Sequence, residues 1–152
     1  MPSQFEISST LPVGVDALWA HCGSMVGVGK ELWPFLRMTY PGGQASIVRD
    51  PFRAGERLFR SRLLLFGVLP VDYSDLTLVE VEPGRRFLER SPMLTQQSWE
   101  HERVLEPVAG GTQITDRLEW EGKARVLTAA YGLAVPLLFR WRHFRLQRLF
   151  GR

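Results

Sequence analysis

SWEHERVLEPVAGGTQITDRLEW, residues 98–120, is the stretch whose alternation decides what kind of protein this chain makes. Successive residues of a β-strand point to opposite faces. On that period Trp99, His101, Arg103 and Leu105 share one side of a first arm, and Thr112, Ile114, Asp116, Leu118 and Trp120 share one side of a second. The other sides carry Ser98, Glu100, Glu102 and Glu106, then Gln113, Thr115, Arg117, Glu119 and Glu121. The segment Pro107 to Gly111 supplies the turn. The reading is a β-hairpin with one apolar face, on which His101, Arg103 and Asp116 are out of place. Buried charges persist only when paired, so these three residues pose a functional question.

Working outward, the same period of two continues upstream. It predicts strands at Ala45 to Asp50, Glu56 to Phe66, Val71 to Glu82 and Arg85 to Ser91, separated by turns at Pro51 to Gly55, Gly67 to Pro70 and Pro83-Gly84. Before them, Gln4 to Ser9 alternates as a first strand, which Pro12 stops. Val15, Leu18, Trp19 and Cys22 then recur at helical spacing, so a short amphipathic helix covers Val13 to Cys22. A second, irregular helix is predicted after Ser24, ending before Pro34, and Pro41 to Gln44 is a turn. Downstream of the hairpin, Lys123 to Phe150 carries an apolar stripe through Leu127, Tyr131, Ala134 or Val135, Leu138, Trp141 or Phe139, Phe144 and Leu149, which predicts one long closing helix interrupted by Pro136. Strands followed by segregated helices make an α+β protein. At 152 residues the chain is expected to be a single domain, residues 1–152.

Composition narrows the function classes. A hydrophobic fraction of 45% with 23% charged residues is that of a globular chain and argues against disorder. The net charge of +3 is too small for a nucleic-acid binder, and no nucleic-acid motif accompanies it. One cysteine, Cys22, cannot make an internal disulfide. Three scattered histidines, His21, His101 and His143, lack metal-ligand spacing, so neither metal nor cofactor is expected. The N-terminus has no signal-peptide pattern, and the longest apolar run, Leu63 to Val71, is too short to span a bilayer; the expectation is a soluble, cytoplasmic protein.

Several features in combination resemble the START-like helix-grip superfamily, which includes plant pollen allergens, polyketide cyclases and lipid-transfer domains. They are the strand-helix-helix start at Phe5 to Cys22, the turn Glu82-Pro-Gly-Arg85, the Trp99-Glu-His101 segment, the run Gly110-Gly-Thr-x-x-x-Asp116, and the closing helix that ends in arginines. The resemblance implies a helix-grip fold: a curved antiparallel sheet of about seven strands wrapped around the long C-terminal helix, with two short helices after the first strand. It implies a cavity between helix and sheet that holds an apolar or amphipathic small molecule such as a lipid, isoprenoid or polyketide. By that analogy Trp33, Phe35, Trp99, Trp120 and Tyr131 line the cavity, with Arg103 a further ligand-contacting candidate.

The chemistry of the hairpin depends on its register. One register sets His101 opposite Asp116; the other sets Arg103 opposite Asp116 with His101 diagonal to it. The functional reading is a catalytic His101–Asp116 acid/base pair, in which the carboxylate orients an imidazole whose ordinary pKa of about 6.5 suits proton transfer. This would make the protein a cyclase, dehydratase or hydrolase. The structural reading is a network in which Asp116 satisfies His101 or Arg103. Arg60 and Arg62 share one face of their strand and serve either a ligand carboxylate or solvent. The tail from Arg140 to Arg152 interleaves basic and apolar residues. It reads either as a peripheral membrane contact through the C-terminal helix or as a core-facing stripe with a solvated basic side.

Overall fold

The chain builds β1 (Ser3–Leu11), α1 (Val15–Cys22), α2 (Met25–Leu32), β2 (Leu36–Met38), β3 (Arg57–Leu65), β4 (Leu69–Glu82), β5 (Arg86–Arg90), β6 (Gln96–Val108), β7 (Gly111–Gly122) and α3 (Arg125–Phe150) in a computed structural model that describes residues 2–43, 45–48 and 52–151. The strands form one antiparallel sheet in the order β1-β7-β6-β5-β4-β3-β2. The sheet curls because β4 is shared. Its first half pairs with β3 and its second half with β5, with register shifts at Leu63/Leu64, Arg57/Phe59 and Leu78/Glu80. Each such irregularity bends the strand and adds twist. Helix α3 lies in the resulting grip against β1 and β7, and α2 packs on α3 and β2.

Local sequence explains the connections. Ser24 caps α2 by accepting hydrogen bonds from the backbone N–H of Val26 at 3.1 Å and Gly27 at 3.4 Å. Gly27 is needed for space, since a Cβ there would sit 2.1 Å from the His21 carbonyl oxygen. That approach brings α1 and α2 close together at His21. The β6–β7 turn is tighter than expected. Pairing runs on to Val108 opposite Gly111, leaving Ala109 and Gly110 as the loop, with Gly110 at φ 85°.

Two expectations are corrected. The strand predicted at Ala45 to Asp50 is absent over its described part, residues 45–48; Arg49 and Asp50 lie outside the described residues. The backbone there is claimed by the α1–α2 junction instead. Met25 N–H donates to Ala45 O at 2.6 Å, and Ile47 N–H donates to Gly23 O at 2.9 Å. The seventh strand is β2, which pairs Leu36 with Leu65 and Met38 with Leu63. Three residues behind Pro34 are too few to show a period. The second correction concerns α3. Its buried face is Val135, Phe139, Arg142, His143 and Leu146, while Phe144 and Leu149 of the expected stripe are exposed. Val135 and Phe139 of the expected stripe are buried, but beyond them Arg142 and His143 turn inward in place of Phe144, for a reason that lies in the site.

This orientation of α3 has a measurable consequence. Leu146→Ala removes a fully buried side chain and is expected to cost about 2–5 kcal/mol in urea denaturation. Leu133→Ala, on the exposed face, is expected to change stability by less than about 0.5 kcal/mol. Equal losses would overturn the assignment of faces.

Candidate functional site

The hairpin register sets Arg103 opposite Asp116 and His101 opposite Leu118, so His101 is diagonal to Asp116. All three point inward, beside α3. Asp116 is fully buried and accepts from four directions. Arg103 donates through Nε at 2.7 Å and Nη2 at 2.9 Å, while His101 Nε2 and His143 Nε2 each stand 2.7 Å from one of its oxygens. The other side of the Arg103 guanidinium grips Glu31 of α2, through Nη1 at 2.9 Å and Nη2 at 2.8 Å. Glu31 is also bound by Arg142 Nε at 2.9 Å and lies 2.8 Å from His21 Nε2. His143 continues to Ser9 on β1, Nδ1 to Oγ at 2.7 Å. One network thus joins all three helices to β1, β6 and β7. It explains the face of α3, because Arg142 and His143 turn inward to meet Glu31 and Asp116.

The electrostatics follow from enclosure. Burial would raise the Asp116 carboxyl, but Arg103 and the two histidines hold it well below the ordinary 3.8. Glu31 behaves alike: burial opposes ionisation, yet Arg103 and Arg142 keep its carboxyl far below 4.5. Desolvation disfavours the charged imidazole of His101, but the hydrogen bond to Asp116 and the nearby Glu89 carboxylate outweigh it and raise its pKa above 6.5. Burial, partly offset by Arg103, pushes the Cys22 thiol up to about 11, which leaves it an unreactive neighbour.

Beside this network, between α3 and the sheet, lies a cavity of about 680 Å³. Its wall is largely apolar, built from residues such as Met38, Leu63, Leu65, Met93 and Leu138. Polar atoms enter it at few places. His101 and Glu89 meet there with Nδ1 and Oε1 3.7 Å apart, and Glu89 is held from behind by Ser91 Oγ at 2.6 Å. The buried Ser74 hydroxyl also lines the cavity and has no hydrogen-bond partner among the described residues. Tyr131 lines it as well, its hydroxyl bonded to Asp72, a carboxylate that also accepts from the backbone N–H of Leu94 at 3.1 Å and Thr95 at 3.2 Å. Burial and Asp72 raise the Tyr131 phenol, so it stays a donor.

The residues singled out in the sequence separate into two groups. Phe35, Trp99, Tyr131 and His101 reach the cavity wall. Trp33, Arg103, Trp120 and Asp116 do not. Arg103 and Asp116 are saturated by the network. Trp120 is core, its indole N–H donating to Thr128 O at 3.2 Å. Trp33 is 55% exposed and offers its carbonyl to the Trp141 indole at 3.1 Å. On β3 the inner face is that of Phe59, Ser61 and Leu63; Arg60 points out to Asp75 at 2.8 Å and lies over the Tyr73 ring at 4.0 Å. Glu31, Glu89, Arg142 and His143 were missed. His143 sits one residue from the Phe139/Arg142/Leu146 helical row, a signal visible only once the buried face is known. Among the described residues no three His, Cys, Asp or Glu side chains are gathered to hold a metal ion. None of the helices described is long and apolar enough to cross a membrane.

Comparison with known proteins bears on the fold. Residues 9–150 match the family model described as a domain of unknown function, DUF8410. No curated protein matches the chain by sequence. Among solved structures, protein CV1439 from Chromobacterium violaceum is similar over 98% of this chain and 97% of its own, with 14% identity and a TM-score of 0.70. DynU16, a protein in the dynemicin biosynthetic locus, matches 95% of this chain and 46% of its own, at 18% identity and a TM-score of 0.59. Ara h 8.0201 matches 97% of this chain and 99% of its own, at 12% identity and a TM-score of 0.59. These likenesses establish the helix-grip fold.

The network makes two predictions. Arg103→Ala removes the cation shared by two buried carboxylates, Glu31 and Asp116, and is expected to cost about 3–5 kcal/mol. The pH profile has two limbs. Asp116 and Glu31 are held below 3.8 and 4.5, so the stability they contribute is present above those values and is lost as pH falls below them. His101 is held above 6.5, so its contribution is complete below 6.5 and is lost as pH rises past its folded pKa. Denaturation across pH should therefore show an alkaline decline that His101→Gln flattens, with the acid decline retained.

Proposed function

The chain belongs to the DUF8410 family, and we propose that it binds a hydrophobic or amphipathic small molecule in the cavity between α3 and the sheet, residues 1–152 acting as one ligand-binding domain. The observation that carries this is the cavity itself: about 680 Å³, apolar over most of its wall, with His101, Glu89 and Ser74 as convergent polar groups. Ligand sites of about 300–1,000 Å³ have this character: an apolar lining supplies affinity and a few polar atoms fix orientation. Phe35, Trp99 and Tyr131 would contact the ligand's apolar body. The gap of 3.7 Å between His101 Nδ1 and Glu89 Oε1 is too long for a direct hydrogen bond and suits a ligand hydroxyl that accepts from one and donates to the other. A lipid, isoprenoid or polyketide bearing such a group fits this description, and transport of it is compatible with the same site.

A second reading is catalytic, and the position of His101 favours it: the imidazole faces the cavity with Asp116 behind it. In that reading His101 is the proton donor, because its pKa is raised, and Asp116 is a positioning residue that never meets the substrate. This is the proton-transfer step of a cyclase, dehydratase or hydrolase. Binding remains the first reading because both imidazole nitrogens already face carboxylates.

Titration with anilinonaphthalene sulfonate, together with native mass spectrometry of the purified protein, tests the binding reading. Leu65→Trp, which fills the cavity, is expected to weaken the probe at least about tenfold and to displace any co-purified ligand. Unchanged affinity would sink the proposal. His101→Gln should retain probe binding; loss of turnover of a candidate polyketide with binding intact would favour the catalytic reading.

A further inference from the structure

The cavity wall includes Leu65 and Val71, on either side of the β3–β4 turn, and Leu137, Trp141 and Phe144 of α3, and around these residues apolar side chains stay in solvent. Val68 is 79% and Leu133 76% exposed, with Phe66, Leu69 and Leu137 exposed beside them. Four aromatic rings run through this region as one ribbon. Phe66 packs edge-on to Phe35 at 6.4 Å between ring centroids, Phe35 edge-on to Trp141 at 4.9 Å, and Trp141 stacks on Phe144 at 5.3 Å. Because Phe35, Trp141, Phe144 and Leu137 also line the cavity, this aromatic ribbon is the rim of its mouth. Exposed apolar surface of this extent marks an interaction site. The turn is built to present it. Phe66 adopts φ 54°, a left-handed conformation unusual for a bulky side chain, yet its ring remains exposed, so the strain is not repaid by burial.

Charge identifies what the rim meets. The segments that carry the rim, residues 32–40, 63–71 and 131–144, contain Arg37, Arg140 and Arg142 and no aspartate or glutamate. Arg142 is occupied by Glu31, whereas Arg37 and Arg140 are exposed, and Arg145 and Arg148 follow in the last turns of α3. An apolar ribbon flanked by cations alone is complementary to an anionic bilayer: the apolar side chains enter the acyl boundary, and the arginines lie at the headgroups. A second copy of the chain would bring like charges together.

We propose that this rim docks on an anionic lipid bilayer, so that a ligand passes between membrane and cavity without crossing water. The proposal rests on the cavity being a ligand site. It places membrane contact on the β3–β4 turn and mid-α3, rather than on the basic tail alone.

The test is co-sedimentation with phosphatidylcholine vesicles with and without phosphatidylglycerol, comparing the protein with Phe66→Asp and Val68→Asp. Both positions lie outside the cavity lining, so anilinonaphthalene sulfonate binding that Leu65→Trp abolishes should persist in them and reports that they fold. The expected result is binding to the anionic vesicles, reduced at least about tenfold in either variant and weakened by salt. No binding to anionic vesicles, or binding indifferent to both substitutions, would overturn the proposal. So would sedimentation equilibrium showing a dimer that Val68→Asp dissociates, which would make the rim a self-interface. Loss of vesicle binding with the cavity probe intact removes only the docking surface; loss of the Leu65-sensitive probe site with vesicle binding intact removes only the ligand reading.

Discussion

The guanidinium of Arg103, held between Glu31 and Asp116, is the interaction on which the rest of the structure depends. A guanidinium offers planar, bidentate hydrogen bonding on more than one edge, and Arg103 uses two edges to hold carboxylates from α2 and β7. Arg142 and His143 then complete the same carboxylates from α3. Four elements far apart in sequence are brought into one orientation. The arrangement is costly to break because every loss removes part of the compensation of a charge at full burial.

That constraint also shapes the cavity. The long helix shows the sheet a face containing Arg142 and His143, so Leu137, Trp141 and Phe144 are rotated toward the mouth and outer surface. Arg103, Asp116, Glu31 and His143 are gathered behind the wall, and the cavity keeps a largely apolar lining that Glu89, His101, Arg140 and Arg142 interrupt. His101 is the link between the two regions: one nitrogen belongs to the network and the other faces Glu89 in the cavity.

Much of this was legible along the chain, and the failures have physical causes. Strands β1 and β3 through β7 each carry enough residues for a period of two to appear, and α1 and α3 enough for a period near 3.6. Strand β2 has three residues and was not legible, while Ala45 to Val48 alternates but gives its backbone hydrogen bonds to the α1–α2 junction. Among site residues, His101, Arg103 and Asp116 stood out because a charged side chain on the apolar side of a strand is visible in the sequence. Glu31 and His143 did not, because a single polar residue on a helix is unremarkable until its neighbours are known.

The sequence by itself determined the α+β class, the hairpin and which of its side chains share the interior, because alternation is a property of neighbouring residues. It also showed that Asp116 would have a cationic partner in either register. Only the tertiary structure decided that the partner opposite it is Arg103, that Glu31 and His143 complete the cluster, and that Phe35, Trp99 and Tyr131 border the cavity while Trp33 and Trp120 do not. Those outcomes depend on contacts between residues up to 134 positions apart, as between Ser9 and His143. Such contacts are set by how α3 rotates within the curled sheet, and no local pattern encodes that rotation.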